Sequence, residues 1–357
     1  MQRRDFFKLA AASAALPLLS SPLSYAAPIQ NGRSFRLTYQ VSLPADNTLA
    51  NLWLPLPMTA ADGWQQAEKA LIQGSADSQG EIDDIKAGAD YYRASWQDTA
   101  PRQIGVSCLA RTVDRGTGVN ALPNGMHGKL PKAIHEFLKP TQHIPVDGIV
   151  LDTAHQATRG AYTSLEKARA IYDWVVDNSF RDPATQGCGR GDIKTMLETG
   201  NLGGKCADIN SLFVGLARAS GIPAREMFGI RVGESKQFKS LGKTGDVTRA
   251  QHCRAEFYLA GYGWVPVDPA DVRKAILEEK LPLTDPKIVA LRDKLFGYWE
   301  MNWLALNHAR DFFLKPQAAN NPINFLMYPY AELDGVAREQ LMPDQFVYRI
   351  TAEEIST

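Results

Sequence analysis

The sequence predicts an α+β fold: a helix bearing a cysteine packed on an antiparallel sheet, with a β-rich domain ahead of it. Three stretches carry that expectation. "SFRLTYQVSLP" (34–44) alternates, so Phe35, Leu37, Tyr39, Val41 and Leu43 share one face of a half-buried strand. In "NLGGKCADINSLFVGLARASGIPAR" (201–225), Ile209, Leu212, Phe213, Leu216 and Ala217 recur at helical spacing behind two glycines and Cys206. "HCRAEFYLAGYGWVPVDPA" (252–270) reads as two strands joined by the turn Gly261-Tyr262-Gly263.

The elements follow in order. "MQRRDFFKLAAASAALPLLSSPLSYAA" places an arginine pair, Arg3 and Arg4, before an apolar run that closes on the small residues Ser24 and Ala26. This is the anatomy of a cleaved export signal over 1–26, cut after Ala26 or Ala27. "RRDFFK" resembles a bacterial twin-arginine signal, which implies a periplasmic protein that folds before it leaves the cytoplasm. "LANLWLPLP" and "RQIGVSCLARTV" extend the strand-rich character, giving a β-rich accessory domain over 33–115. A core mixing helices and strands is expected over 120–272. Its first clear helix, "TSLEKARAIYDWVVDNSF", opens with Thr163 and, three residues on, Glu166, a capping box. The Cys206 helix should stop at Ser220-Gly221, because Pro223 cannot continue it. The remainder, 273–357, reads as a mostly helical, aromatic extension ending in the strand "DQFVYRIT".

Composition narrows the function. The 357 residues balance 39 basic against 39 acidic side chains, which gives no reason to expect nucleic acid or an anionic membrane surface as a partner. Beyond the signal, no apolar run is long enough to span a bilayer. Four cysteines, Cys108, Cys188, Cys206 and Cys253, could form two disulfides, but a chain this long needs no staples. At least Cys206 is therefore expected as a free thiol.

A helix start is where the charge state of a thiol matters. The unpaired N–H groups and partial positive charge there favour thiolate. Gly203 and Gly204 let the chain turn sharply and leave room for a substrate, so Gly204 is a candidate substrate-binding residue. A thiolate nucleophile needs a base, and the base an orienting group. Of the six histidines, His252 lies in the strand pattern downstream, where His252, Arg254, Glu256 and Tyr258 should share one face and Cys253 the core face. The returning strand brings Asp268 alongside. A zinc site from Cys188, Cys206, His252 and Cys253 is disfavoured, having no C-x-x-C pair and adjacent residues on opposite faces; no metal or cofactor is expected.

The words match as well as the order. "GGKCADINSLFVGLARASGIPAR" and "HCRAEFYLAGYGWVPVDPA" resemble the nucleophile segment and the His–Asp segment of the transglutaminase-like superfamily, a branch of the papain-like cysteine enzymes, over about residues 160–272. The resemblance implies Cys206 as nucleophile, His252 as base and Asp268 as orienting carboxylate. It implies attack on a peptide or glutamine-type amide through a thioester. Hydrolysis is favoured, with a cross-linking transamidase as the alternative and a non-catalytic binding protein as a reading of another class. Many members carry an aromatic residue two places after the histidine, where this chain has Arg254. Arg254 is thus a second candidate for substrate binding, unless Glu256 holds it in a structural pair. The expected substrate is a peptide or protein, cell-wall peptide among the candidates.

Overall fold

The computed structural model describes residues 31–45, 49–61, 63–99, 101–119, 128–318, 322–338, 341 and 347–356. The stretch expected to be an export signal, 1–26, lies outside them. Two sheets organise the described chain. Arg33–Leu43 buries Phe35, Leu37, Tyr39, Val41 and Leu43, as its alternation predicts, and pairs antiparallel with both Arg102–Thr112 and the last strand, Val347–Ile355. These form the heart of a seven-stranded sheet. Its inner face packs on Leu52, Leu54, Tyr92, Ala94, Leu304 and Leu306 of a nine-stranded sheet, so the β-rich part is a sandwich with a dry interior.

The nine-stranded sheet does not stop at the edge of that sandwich. It runs Gly263–Val267, Arg254–Leu259, Ala224–Arg231, Trp303–Asn307, Ala89–Trp96, Ala50–Pro55, Tyr330–Leu333 and Val336–Ala337, with Ser78–Asp84 paired beside Ala89–Trp96. One end belongs to the sandwich; the other carries the helices. The strand Ala224–Arg231 joins the two parts. Its first half pairs with Arg254–Leu259, its second with Trp303–Asn307, and the register shifts between Phe228 and Gly229.

Helices gather at the far end: α1 (Ile149–Ala157), α2 (Ser164–Asn178), α3 (Ile193–Thr199), α4 (Cys206–Ala219), α5 (Pro269–Glu278) and α6 (Pro286–Lys294). Thr163 and Glu166 close the capping box on α2 that the sequence predicts. α4 is buried on every side from Cys206 to Arg218, so it is the central helix of this half and not a surface amphipath. It ends where expected, at Ser220 with Gly221 in a left-handed conformation.

The expectation of a mostly helical segment after 272 needs correction. Among the described residues only α5 and α6 are helical there; from Tyr298 onward the described regular structure is strand, and Trp303–Asn307 sits in the middle of the large sheet. All five residues of that strand are buried. A strand covered on both faces shows no alternation, which is why its apolar and aromatic residues read as helix or core.

Candidate active site

The start of α4 is built around Asp208. Its Oδ2 accepts the N–H of Lys205 (2.9 Å), and its Oδ1 accepts those of Arg190 (3.0 Å) and Gly191 (2.9 Å). One carboxylate thereby caps the helix and ties down the loop 187–191 that passes beside Cys206. Gly203 and Gly204 pair with Phe180 and Arg181 in a short parallel ladder, fixing the approach. Close packing against Asp208 explains two glycines. A Cβ on Gly189, whose φ is +88°, would overlap the Asp208 carboxylate, and one on Gly204 would crowd its side chain. Gly189→Ala should therefore cost about 3 kcal/mol through backbone strain and overpacking. The check is a lowered urea midpoint with an unchanged m-value.

Cys206 is 2 % exposed and lies at the wall of a cavity of 820 Å³. Cys188 and Cys253 stand against it, and all four cysteines are free thiols. The Cys188 thiol donates to the Gln251 carbonyl at 3.2 Å. Burial pushes the Cys206 thiol up. Hydrogen bonds with Cys188, Cys253 and His252, and the charge of His252, outweigh burial and hold it well below the usual thiol range. Cys188 and Cys253 move the other way, well upward: Cys188 chiefly through its hydrogen bond to Cys206, Cys253 chiefly through burial. A single thiolate is thus stabilised among three sulfurs.

His252 precedes the strand it is expected to occupy. The strand begins at Arg254, and His252 is held by its N–H donating to the Gly229 carbonyl (2.9 Å) and its carbonyl accepting from Trp303 Nε1 (2.8 Å). Gly229 marks the register shift, so the break in the sheet makes the seat for the imidazole. This also corrects the alternation of faces: Cys253 is buried as expected, but its sulfur meets Cys206 instead of pointing away from the site.

His252 Nε2 meets Asp268 Oδ2 at 2.7 Å, which leaves Nδ1 as the ring nitrogen for the Cys206 sulfur. Asp268 is also the N-cap of α5. Its Oδ1 accepts the Asp271 N–H (3.1 Å) and Asn210 Nδ2 (3.3 Å). Asn210, one turn along α4 from Cys206, also donates to the Cys253 carbonyl at 2.8 Å, locking α4 to the His–Asp segment. Asp271 is clamped by Arg231 through contacts of 2.5 and 3.2 Å and stands 3.5 Å from His252 Nε2. Burial and Arg231 lower the imidazole pKa, while Asp271 and Asp268 raise it; the net shift is upward. Low thiol and high imidazole together favour a thiolate–imidazolium pair.

Arg254 and Glu256, two of the residues expected on the His252 face, do neither thing the sequence suggests. Arg254 is buried, does not line the cavity, donates to the Glu300 carbonyl (3.0 Å) and stands 3.6 Å from Asp268 Oδ2 over the Trp303 ring. Glu256 pairs with Arg115 and Arg225 and not with Arg254. Arg254 therefore supports the Asp268 carboxylate from behind. His252, Asp268 and Asp271 are close enough to suggest a cation site. Arg231 and Arg254 already supply positive charge to both carboxylates, however, so a metal ion would meet two guanidinium groups.

Sequence reasoning missed Asp208, Asn210, Arg231 and Asp271. Two had a readable signal: Asp208 and Asp271 each occupy the third position of a helix, where a carboxylate satisfies an early N–H. Gln251 was missed as well. It lines the cavity, and its Nε2 is buried without an acceptor.

A helix-start thiol facing an imidazole, whose other nitrogen a carboxylate holds, is the arrangement of cysteine enzymes. Residues 151–269 match the Transglutaminase-like superfamily, and the chain belongs to that superfamily. A protein of Haemophilus influenzae, described only as uncharacterized, is 41% identical over 337 residues, covering 90% of this chain and 91% of its own. The solved structure of "a Putative Cysteine Protease from Cytophaga hutchinsonii" superposes with a TM-score of 0.55 at 13% identity, covering 92% of both chains; at that identity it speaks for the fold. The periplasmic domain of TgpA from Pseudomonas aeruginosa aligns at 16% identity with a TM-score of 0.34, over 72% of this chain and 92% of that one.

Proposed function

We propose that this chain is an exported cysteine enzyme that hydrolyses amide bonds through a thioester on Cys206. One observation carries the reading: the buried His252 ring bridges Cys206 and Asp268, meeting Asp268 Oδ2 through Nε2 at 2.7 Å and hydrogen-bonding the Cys206 sulfur. The thiolate attacks the carbonyl carbon, and the electron pair of the C=O bond moves to oxygen. The Cys206 N–H at the start of α4 and Gln251 Nε2 are the donors assigned to that oxyanion. His252 Nδ1 gives its proton to the nitrogen as the C–N bond breaks, and the amine leaves. Water then attacks the thioester, surrenders a proton to His252, and the C–S bond breaks to regenerate the thiolate. The cavity beside Cys206 is roomy enough to admit water next to an acyl group, which favours hydrolysis over transfer. Export rests on the arginine pair and small-residue site of the first 26 residues.

The test is a peptide-amide library with product analysis by mass spectrometry. Ammonia or new amino termini should appear with the wild type and vanish with Cys206→Ser. Gln251→Ala should lower kcat about 10²–10³-fold with little change in KM. Quantitative capture of added methylamine in place of water would reassign the protein as a transamidase. No turnover of any library member would remove the proposal.

A further inference from the structure

The chain is neutral as a whole, but the cavity at Cys206 is not. Arg181, Lys205, Lys239, Lys243, Arg249 and Lys274 line it, against the acidic side chains of Glu278 and Glu279 among its described residues. The acids are already engaged. Glu278 stands 4.0 Å from Arg181 and 3.9 Å from Lys274, and Glu279 accepts the Ser240 N–H at 3.0 Å. Lys239 and Lys243 are exposed at the rim and have no ion-pair partner among the described residues. Deeper in, Lys274 donates to the Ser240 carbonyl at 2.6 Å, and its pKa is lowered to about 8 by burial and the neighbouring Arg231. A concave wall with a surplus of one charge focuses potential into the space it encloses. The cations come from separate elements: the Phe180–Arg181 strand, the turn Lys239–Leu241 and α5. Arg181 and Lys274 flank the same Glu278 oxygen, at 4.0 and 3.9 Å, while Lys239 and Lys243 stand exposed on a separate segment.

We infer that this cavity receives an acidic peptide, whose carboxylates are held by the wall cations while Cys206 attacks an amide between them. The inference rests on Cys206 being the nucleophile proposed above. Cations spread over several elements match several carboxylates along an extended chain better than one compact anion.

The experiment uses alkylation of Cys206, followed by mass spectrometry at pH 6 with iodoacetate and iodoacetamide, and so needs no known substrate. In the wild type the ratio of iodoacetate to iodoacetamide rates should fall as salt is added. In Lys239→Glu/Lys243→Glu the low-salt ratio should fall roughly tenfold. Tetraglutamate should slow iodoacetamide alkylation, and tetraglutamine should not. A ratio indifferent to salt and to both charge reversals overturns the inference and leaves the nucleophile intact. Equal protection by the two peptides, or protection by trigalacturonate alone, also overturns the peptide assignment. If Cys206 reacts with neither reagent at pH 6, the proposed function fails first and this inference with it.

Discussion

His252→Ala should reduce turnover about 10³-fold or more and move alkylation of Cys206 to higher pH. The wild-type thiol lies well below its usual range because hydrogen bonds and the His252 charge overcome burial. Removing the ring removes one of those hydrogen bonds and the charge together, leaving burial less opposed. The pH dependence has a definite sign. The pair exists above the depressed thiol pKa and below the raised imidazole pKa. Turnover should therefore already be present below pH 6.5 and decline as pH rises through the His252 pKa, when the proton for the leaving amine is lost. Iodoacetamide labelling across pH checks the first half, and a kcat/KM profile the second. Identical labelling curves for wild type and variant would show that His252 does not govern the thiol.

Arg231→Met should be the most destabilising single change near the site. The guanidinium, itself buried, contacts both oxygens of Asp271 and donates to the Leu241 carbonyl. Without it Asp271 is a buried charge beside a second carboxylate, Asp268, and removing one partner of such a pair typically costs about 3–5 kcal/mol. Asp271 is held below the usual carboxylate range: burial raises it, and Arg231 foremost among the charges lowers it further. A depressed native pKa stabilises the fold above the unfolded value near 3.8 and loses that contribution as pH falls toward the native one. In the variant Asp271 should bind a proton more readily, so the deficit measured by urea unfolding at pH 7 should narrow at pH 4.5. A midpoint equal to wild type at pH 7 would show that the pair is dispensable.

Much of the site was legible because its chemistry sits in local words. Cys206 follows a glycine pair and opens a strongly periodic helix, while His252 and Asp268 flank a hairpin whose turn glycines announce themselves. The structure brings those three side chains together. What stayed hidden depends on chain segments distant in sequence. No periodicity tells that Gly229 breaks a sheet and seats His252, or that Arg231 crosses 40 residues to Asp271. Arg254 misled because its alternation with Glu256 is real, but both are buried and answer to partners on other elements. The C-terminal strands were unreadable for the same reason: Trp303–Asn307 is defined by its neighbours, Ala224–Arg231 and Ala89–Trp96, not by its own pattern. Val347–Ile355 alternates and was foreseeable.

That last strand has a consequence for how each copy of the protein is made. Ser34 pairs with Ile355 and Ser42 with Val347, so Arg33–Leu43 lacks this partner until synthesis has passed Ile355. Throughout synthesis the N-terminal strand holds an open row of peptide groups along one side, a template for association with other chains. This edge closes late, and a product that stops before Val347 cannot close it.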